Sequence, residues 1–169
     1  MFKQLVMLAF ILAGFSAHAN IVVGTVDVQE VLLAIKQGKA IRNKLKKNFE
    51  KKKKSLVPMQ KNFQKLEGDY QKKRTVWNDA KRKTKEQELQ KLLVSIQSKT
   101  RSYQKEMENL ENKLKKPIIE NIKKIITSVS KSKKVDVTFE ISATPVLFAS
   151  KEVSLTKEVI KSYDKKYGK

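Results

Sequence analysis

The sequence predicts an α+β fold in which a long antiparallel α-helical hairpin is inserted into a small β-sheet body. Three observations predict it. Through the middle of the chain, apolar residues recur at steps of three and four, the period of an amphipathic helix. Near the end, Val135 to Ile141 alternates strictly between apolar and polar, the period of a strand. The charge divides the same way. Residues 39–134 carry 30 basic and 10 acidic side chains, whereas 20–38 and 135–169 together carry seven of each. The middle segment holds an excess of +20, and the two ends form a neutral unit.

The first residues read "MFKQLVMLAFILAGFSAHAN". Lys3 is followed by an apolar run from Leu5 to Phe15 and by Ala17-His18-Ala19. A positive start, a short apolar stretch and an A-x-A site make a secretory signal peptide. The run is shorter than the roughly 20 residues a membrane span needs. Cleavage is expected after Ala19, so residues 1–19 are a leader and the mature chain is exported.

The body is expected to comprise residues 20–38 and 135–169, with the hairpin arm over 39–134. Ile21 to Val26, "IVVGTV", is a first short strand. The outgoing helix carries Ile41, Leu45, Phe49, Leu56, Met59 and Phe63 as a stripe, continued by Leu66 and Tyr70. The returning helix carries Leu89, Leu92, Ile96, Tyr103, Met107 and Leu110, continued to Ile118, Ile122, Ile125 and Val129. Lys, Glu and Gln, good helix formers, fill most of the other positions. A turn is expected near residues 73–78, where Asn78 followed by Asp79 suits a helix N-cap with an acid in the first turn. The outgoing helix then reaches about 50 Å at 1.5 Å per residue. Lys51 to Lys54 cover most of one turn between stripe positions. They make a solvated face, with at least one lysine near the seam, its alkyl stem along apolar surface and its ammonium in water. Pro58 and Pro117 are expected to bend the arm, because proline removes a helical hydrogen bond.

In the second neutral segment, Val135, Val137, Phe139 and Ile141 share one face of a half-buried strand. Ser142 to Pro145 is read as a turn and Val146–Ala149 as a third strand. Leu155, Val159, Ile160 and Tyr163 then mark a closing helix. A body of this size buries too little surface to be comfortable alone, and three short strands leave open edges. The sequence therefore predicts an oligomer with Val135, Val137, Phe139 and Ile141 in its shared core. It does not fix the number of copies.

The chain has no cysteine, and its one histidine, His18, lies in the leader. The commonest general base, nucleophile and transition-metal ligands are thus missing. There is no P-loop, G-x-S-x-G or H-E-x-x-H pattern, and none of the 17 acids sits in an apolar context that suggests a tuned pair. No enzyme, cofactor or metal is expected.

"IVVGTVDVQEVL", the lysine-rich hairpin and "KKPIIENIKKIITSVSKSKKVDVTFEISATPVLFASKEVSLTKEVIKSYDKKY" together resemble the Skp (OmpH-like) family of periplasmic chaperones, over the whole mature chain. The resemblance implies a homotrimer in which three sheets join as a β-barrel body and three hairpins hang from it around a cavity, like a jellyfish. It implies a periplasmic holdase that keeps unfolded outer-membrane proteins from aggregating without ATP. The family supplies no catalytic motif, and its client contacts are diffuse. Charge points to where a client would first arrive. Lys72, Lys73, Arg74, Lys81, Arg82 and Lys83 gather around the turn, beside Tyr70 and Trp77, and are the candidate client-binding residues. A net +20 per chain would steer acidic clients by a long-range, salt-screened field. Phe49, Phe63, Tyr103 and Met107 have two readings: adaptable client contacts, or the seam between the helices.

Two rivals use the same charge. Lysine-rich helices bind nucleic acid without sequence preference, but the export signal removes that partner, so no physiological nucleic acid is expected. A basic envelope protein resting on anionic lipid or lipopolysaccharide is the second.

Overall fold

The computed structural model describes residues 21–168; the expected leader and its cleavage after Ala19 lie outside them. Along the described chain come β1 (Val23–Val26), α1 (Val28–Ala34), α2 (Lys36–Lys73), α3 (Asp79–Ser132), β2 (Val137–Glu140), β3 (Glu152–Ser154) and α4 (Thr156–Tyr167). Most of the described residues are helical, and α2 and α3 run to 38 and 54 residues. They form the hairpin. The chain turns between them at Asn78, whose side chain accepts from the Lys81 N–H at 2.9 Å. Asp79 follows in the first turn of α3, where a negative charge suits the positive end of the helix dipole. Pro58 and Pro117 both lie inside continuous helices and both are exposed. Each lacks the N–H of one helical hydrogen bond, on the solvent-facing side of its helix.

The core sits at one end of the molecule. Val26, Val31, Ile35, Ile122, Leu155, Val159 and Tyr163 are buried, with Ile118, Ile125 and Val129 from the last part of α3. No residue of α2 is fully buried. The arm is held by a half-buried stripe on each helix, and the body by a true core. Polar groups lock the junction between them. Asp164 Oδ1 accepts from the Lys36 N–H at the start of α2 (3.0 Å), and the Tyr163 hydroxyl donates to Gln37 Oε1 (2.7 Å). Burial raises the Tyr163 phenol above its ordinary pKa. Asp27 caps α1 by accepting from the Glu30 N–H (2.7 Å), while its own N–H donates to Thr156 Oγ1 (3.0 Å).

The sheet has the order β2-β1-β3, and both pairings are parallel. Two expectations are corrected here. Val146–Ala149 is not a strand; the third strand falls at Glu152–Ser154. Parallel neighbours cannot be joined by a tight turn. Residues 141–151 must carry the chain from the end of β2 back to the start of β3 on the far side of β1, and Val146–Ala149 lies on that return path. Val135, Val137, Phe139 and Ile141 also do not share one buried face. Lys134 adopts a positive φ of 55° and the chain bends at Asp136, so the alternation is broken before β2 begins. Val135 packs on the core beside Gly24. Thr138 is the inward residue of β2, its hydroxyl 2.7 Å from Ser130 Oγ. Val137 and Phe139 face away from the chain's own helices, 43% and 49% exposed, and Ile141 is half-buried.

Gly38 marks a close approach of two backbones. A Cβ there would lie 1.8 Å from the Leu32 carbonyl oxygen, whereas one at Gly68 would meet nothing within 4 Å. Gly38→Ala is expected to cost about 1–3 kcal/mol, as overpacking does. Gly68→Ala, in an open helix interior, is expected to be neutral or to stabilise by up to about 1 kcal/mol. Thermal melts of the two variants check this; equal effects would contradict the packing at the α1–α2 junction.

Candidate functional site

Three surfaces of the molecule can meet a partner. The first is the arm tip. Tyr70 ends the stripe of α2, Trp77 lies in the turn, and their rings pack at 6.2 Å between centroids and 56° between planes. Lys81 Nζ lies 5.4 Å from the Trp77 ring centre, within cation–π range. Tyr70 donates its hydroxyl to the Glu86 carboxylate, and that bond, first among its causes, raises the phenol's pKa. Arg82 pairs with Asp79. The structure thus brings Tyr70, Trp77 and Lys81 together as a staple that closes the tip, with both rings half-buried. Lys72, Lys73, Arg74, Lys81 and Lys83 are exposed around it. Glu86 is a second acid at the tip beside Asp79. Sequence reading passed over it because its link to Tyr70 spans the turn.

The second surface is halfway along the arm. Among the four consecutive lysines, Lys52 is the one at the seam. It pairs with Glu106 on the facing helix, and its Nζ lies 4.3 Å from the Tyr103 ring centre. Lys51, Lys53 and Lys54 are exposed. Lys52, then the Ser102 hydroxyl, holds the Glu106 carboxyl below the usual carboxylate range. The Tyr103 hydroxyl accepts from Ser55 Oγ at 2.9 Å. Beside this cluster α2 and α3 leave a crevice of about 580 Å³ between them. Phe49, Leu56, Val57, Tyr103 and Met107 line it. Of the two readings open for Phe49, client contact or seam, its 55% exposure favours the first. Val57 and Thr100 also line the crevice though neither belongs to a stripe. No pattern in the sequence marks Val57, because the outgoing stripe runs past it from Leu56 to Met59.

The third surface is the outer face of the sheet. Val137 and Phe139 lie on it, and in the loop of residues 141–151 that follows β2, Leu147 and Phe148 are 93% and 86% exposed. Four large apolar side chains are thus uncovered within one short stretch of chain. Scattered exposed apolar residues are normal, but a concentration of them marks a contact surface.

Among the described residues no group of three or more His, Cys, Asp or Glu is placed to hold a metal ion. Also among them, no helix is long and apolar enough to cross a membrane. The arrangement is suited to contact by charge and apolar surface.

A family model described as outer membrane protein (OmpH-like) matches residues 22–163. A crystal structure of a candidate outer membrane chaperone (OmpH-like) from Caulobacter crescentus CB15 superposes with a TM-score of 0.64 at 18% sequence identity. The match covers 89% of this chain and 86% of that one. At that identity the likeness speaks for the fold: long helices on a small sheet. No curated protein sequence matches this chain.

Proposed function

This chain belongs to the OmpH-like outer membrane protein family, and from that premise we propose that it is an ATP-independent periplasmic holdase that captures unfolded outer-membrane proteins between basic helical arms. The observation that carries the reading is the division of the molecule. A long hairpin without a buried core residue in α2 carries all the excess charge, and a compact neutral body holds it. Such an arm gains little by folding against itself and presents charge and apolar surface together. Three copies joined through the outer sheet face, covering Val137 and Phe139, would hold three arms around one space, with about +60 of net charge. The direct test is turbidity. An outer-membrane β-barrel protein diluted out of urea should stay clear with the mature protein present and no nucleotide. Unchanged aggregation would sink the reading.

The tip should steer the encounter. Replacing Lys72, Lys73, Arg74, Lys81, Arg82 and Lys83 by Gln is expected to slow capture several-fold at low salt. Each exposed pair is worth only about 0.2–1 kcal/mol, so the effect comes from the summed field. It should fade as the Debye length falls to about 8 Å near 0.15 M salt. Dissociation should change little, because contacts deeper along the arms hold the complex. Stopped-flow rates across a salt series decide it. An association rate indifferent to salt and to the six changes would show that these side chains are solvated surface only.

A second reading, docking of the tip on anionic lipid, is favoured by exposed Val76 between the basic residues and Trp77. Cosedimentation with anionic vesicles, compared with turbidity in the absence of lipid, separates the two.

A further inference from the structure

We propose that the crevice between α2 and α3 is a subsite for aromatic side chains of an extended, unfolded client strand; this rests on the holdase reading above. The first reason is charge. The arm as a whole is strongly basic, but the charged residues lining the crevice are Lys52 and Lys53 against Glu108 and Glu111. Lys52 is further neutralised by Glu106. The field of the arm attracts an acidic chain, while the crevice itself is balanced and offers no site for a phosphate or carboxylate. Its occupant is an uncharged group.

The second reason is the lining. Tyr103 and Phe49 offer rings, and Met107 offers a polarizable thioether, which makes favourable contacts with aromatic rings. Met adapts to side chains of different shape, as a site serving many clients requires. The Lys52 ammonium over the ring face and the Ser55 hydroxyl at the phenol oxygen hold Tyr103, so its ring is fixed before a client arrives. A volume of about 580 Å³ lies within the range of ligand pockets, about 300–1,000 Å³.

The third reason is the mouth. Gln60, Thr100 and Gln104 border the crevice and carry donors and acceptors for a peptide backbone. An extended chain turns every second side chain to the same face, and strands of outer-membrane barrels carry aromatic residues in girdles at both membrane interfaces. Such a strand lying along the arm presents an aromatic ring to the crevice with its backbone at the amide rim.

The chain provides two built-in probes. Apart from the leader its methionines are Met59 and Met107. Met107 lines the crevice and Met59 does not. Methyl NMR of the mature protein, labelled at methionine, is read with two unfolded peptides of equal charge, one alternating Phe and Ser, the other Ala and Ser. The Phe peptide is expected to move the Met107 methyl upfield by ring current, with Met59 moving much less, and the Ala peptide to leave both in place. Val57→Phe, which fills the space, and Met107→Gln, which keeps the length but makes it polar, should each weaken Phe-peptide binding several-fold with helix content unchanged. Equal response to both peptides would overturn the assignment. So would a Met107 shift that depends on protein concentration without peptide, since a second copy would then be the occupant. If Met107 stays still while a urea-unfolded barrel protein is kept in solution, the client is held elsewhere: the crevice assignment falls and the holdase reading stands. If that protein aggregates regardless, the holdase reading falls and takes the crevice with it.

Discussion

Phe139→Ala is expected to dissociate the assembled protein at micromolar concentration. Within a single copy Phe139 is half exposed, on the side of β2 away from its own helices. A substitution on a free surface changes stability by no more than about 0.5 kcal/mol. Truncation of a phenylalanine packed in a core costs about 3–5 kcal/mol, and a symmetric assembly loses it once per copy. The two cases are far apart, so one variant decides between them. The melting temperature of the parent should rise with protein concentration, as it does whenever association stabilises the fold. That dependence should vanish in the variant. A variant as associated and as stable as the parent would show that the outer sheet face is not what joins the copies.

Removal of residues 63–93 is expected to abolish the holding of whole clients while leaving the body assembled. Tyr70 meets Glu86 and Ser55 meets Tyr103 across the hairpin, so Phe63 and Leu93 stand at nearly the same level and the cut shortens both helices evenly. Every buried apolar residue, from Val26 to Tyr163, lies outside the deleted segment. The fold should therefore survive with little loss. The crevice residues also remain, so the shortened protein should still bind the short aromatic peptide. What it loses is the reach of the arms and the basic tip. Turbidity with a whole client and methyl NMR with the peptide separate these two losses. Full protection of a whole client by the shortened protein would remove the distal arm from the mechanism.

The features legible in the sequence were those set by neighbours along the chain. The helical stripes, the Asn78 cap and the closing helix with buried Val159 and Tyr163 depend on residues within a few positions of each other. Features set by distant partners were not. The period of Val135 to Ile141 is real, but Lys134 and the bend at Asp136 turn Val135 inward while Val137 and Phe139 turn out. Nothing local announces parallel pairing on both sides of β1, and so the third strand was expected six residues too early. At the arm, sequence reading expected at least one of the four lysines at the seam. Only the register of α2 against α3 shows that it is Lys52, because Glu106 and Tyr103 wait opposite that position alone. The crevice is invisible for the same reason: it belongs to two helices whose lining residues are 40 positions apart at their closest, Gln60 and Thr100.

The mass of the client complex is the most direct test of the holdase assembly. An outer-membrane β-barrel protein diluted from urea into excess mature protein, without nucleotide, is separated by size and weighed by multi-angle light scattering. The expected result is one soluble species with the mass of one client plus three copies of this chain, and free protein with the mass of three copies. A monomeric free protein, with the client found only in aggregates, would contradict it.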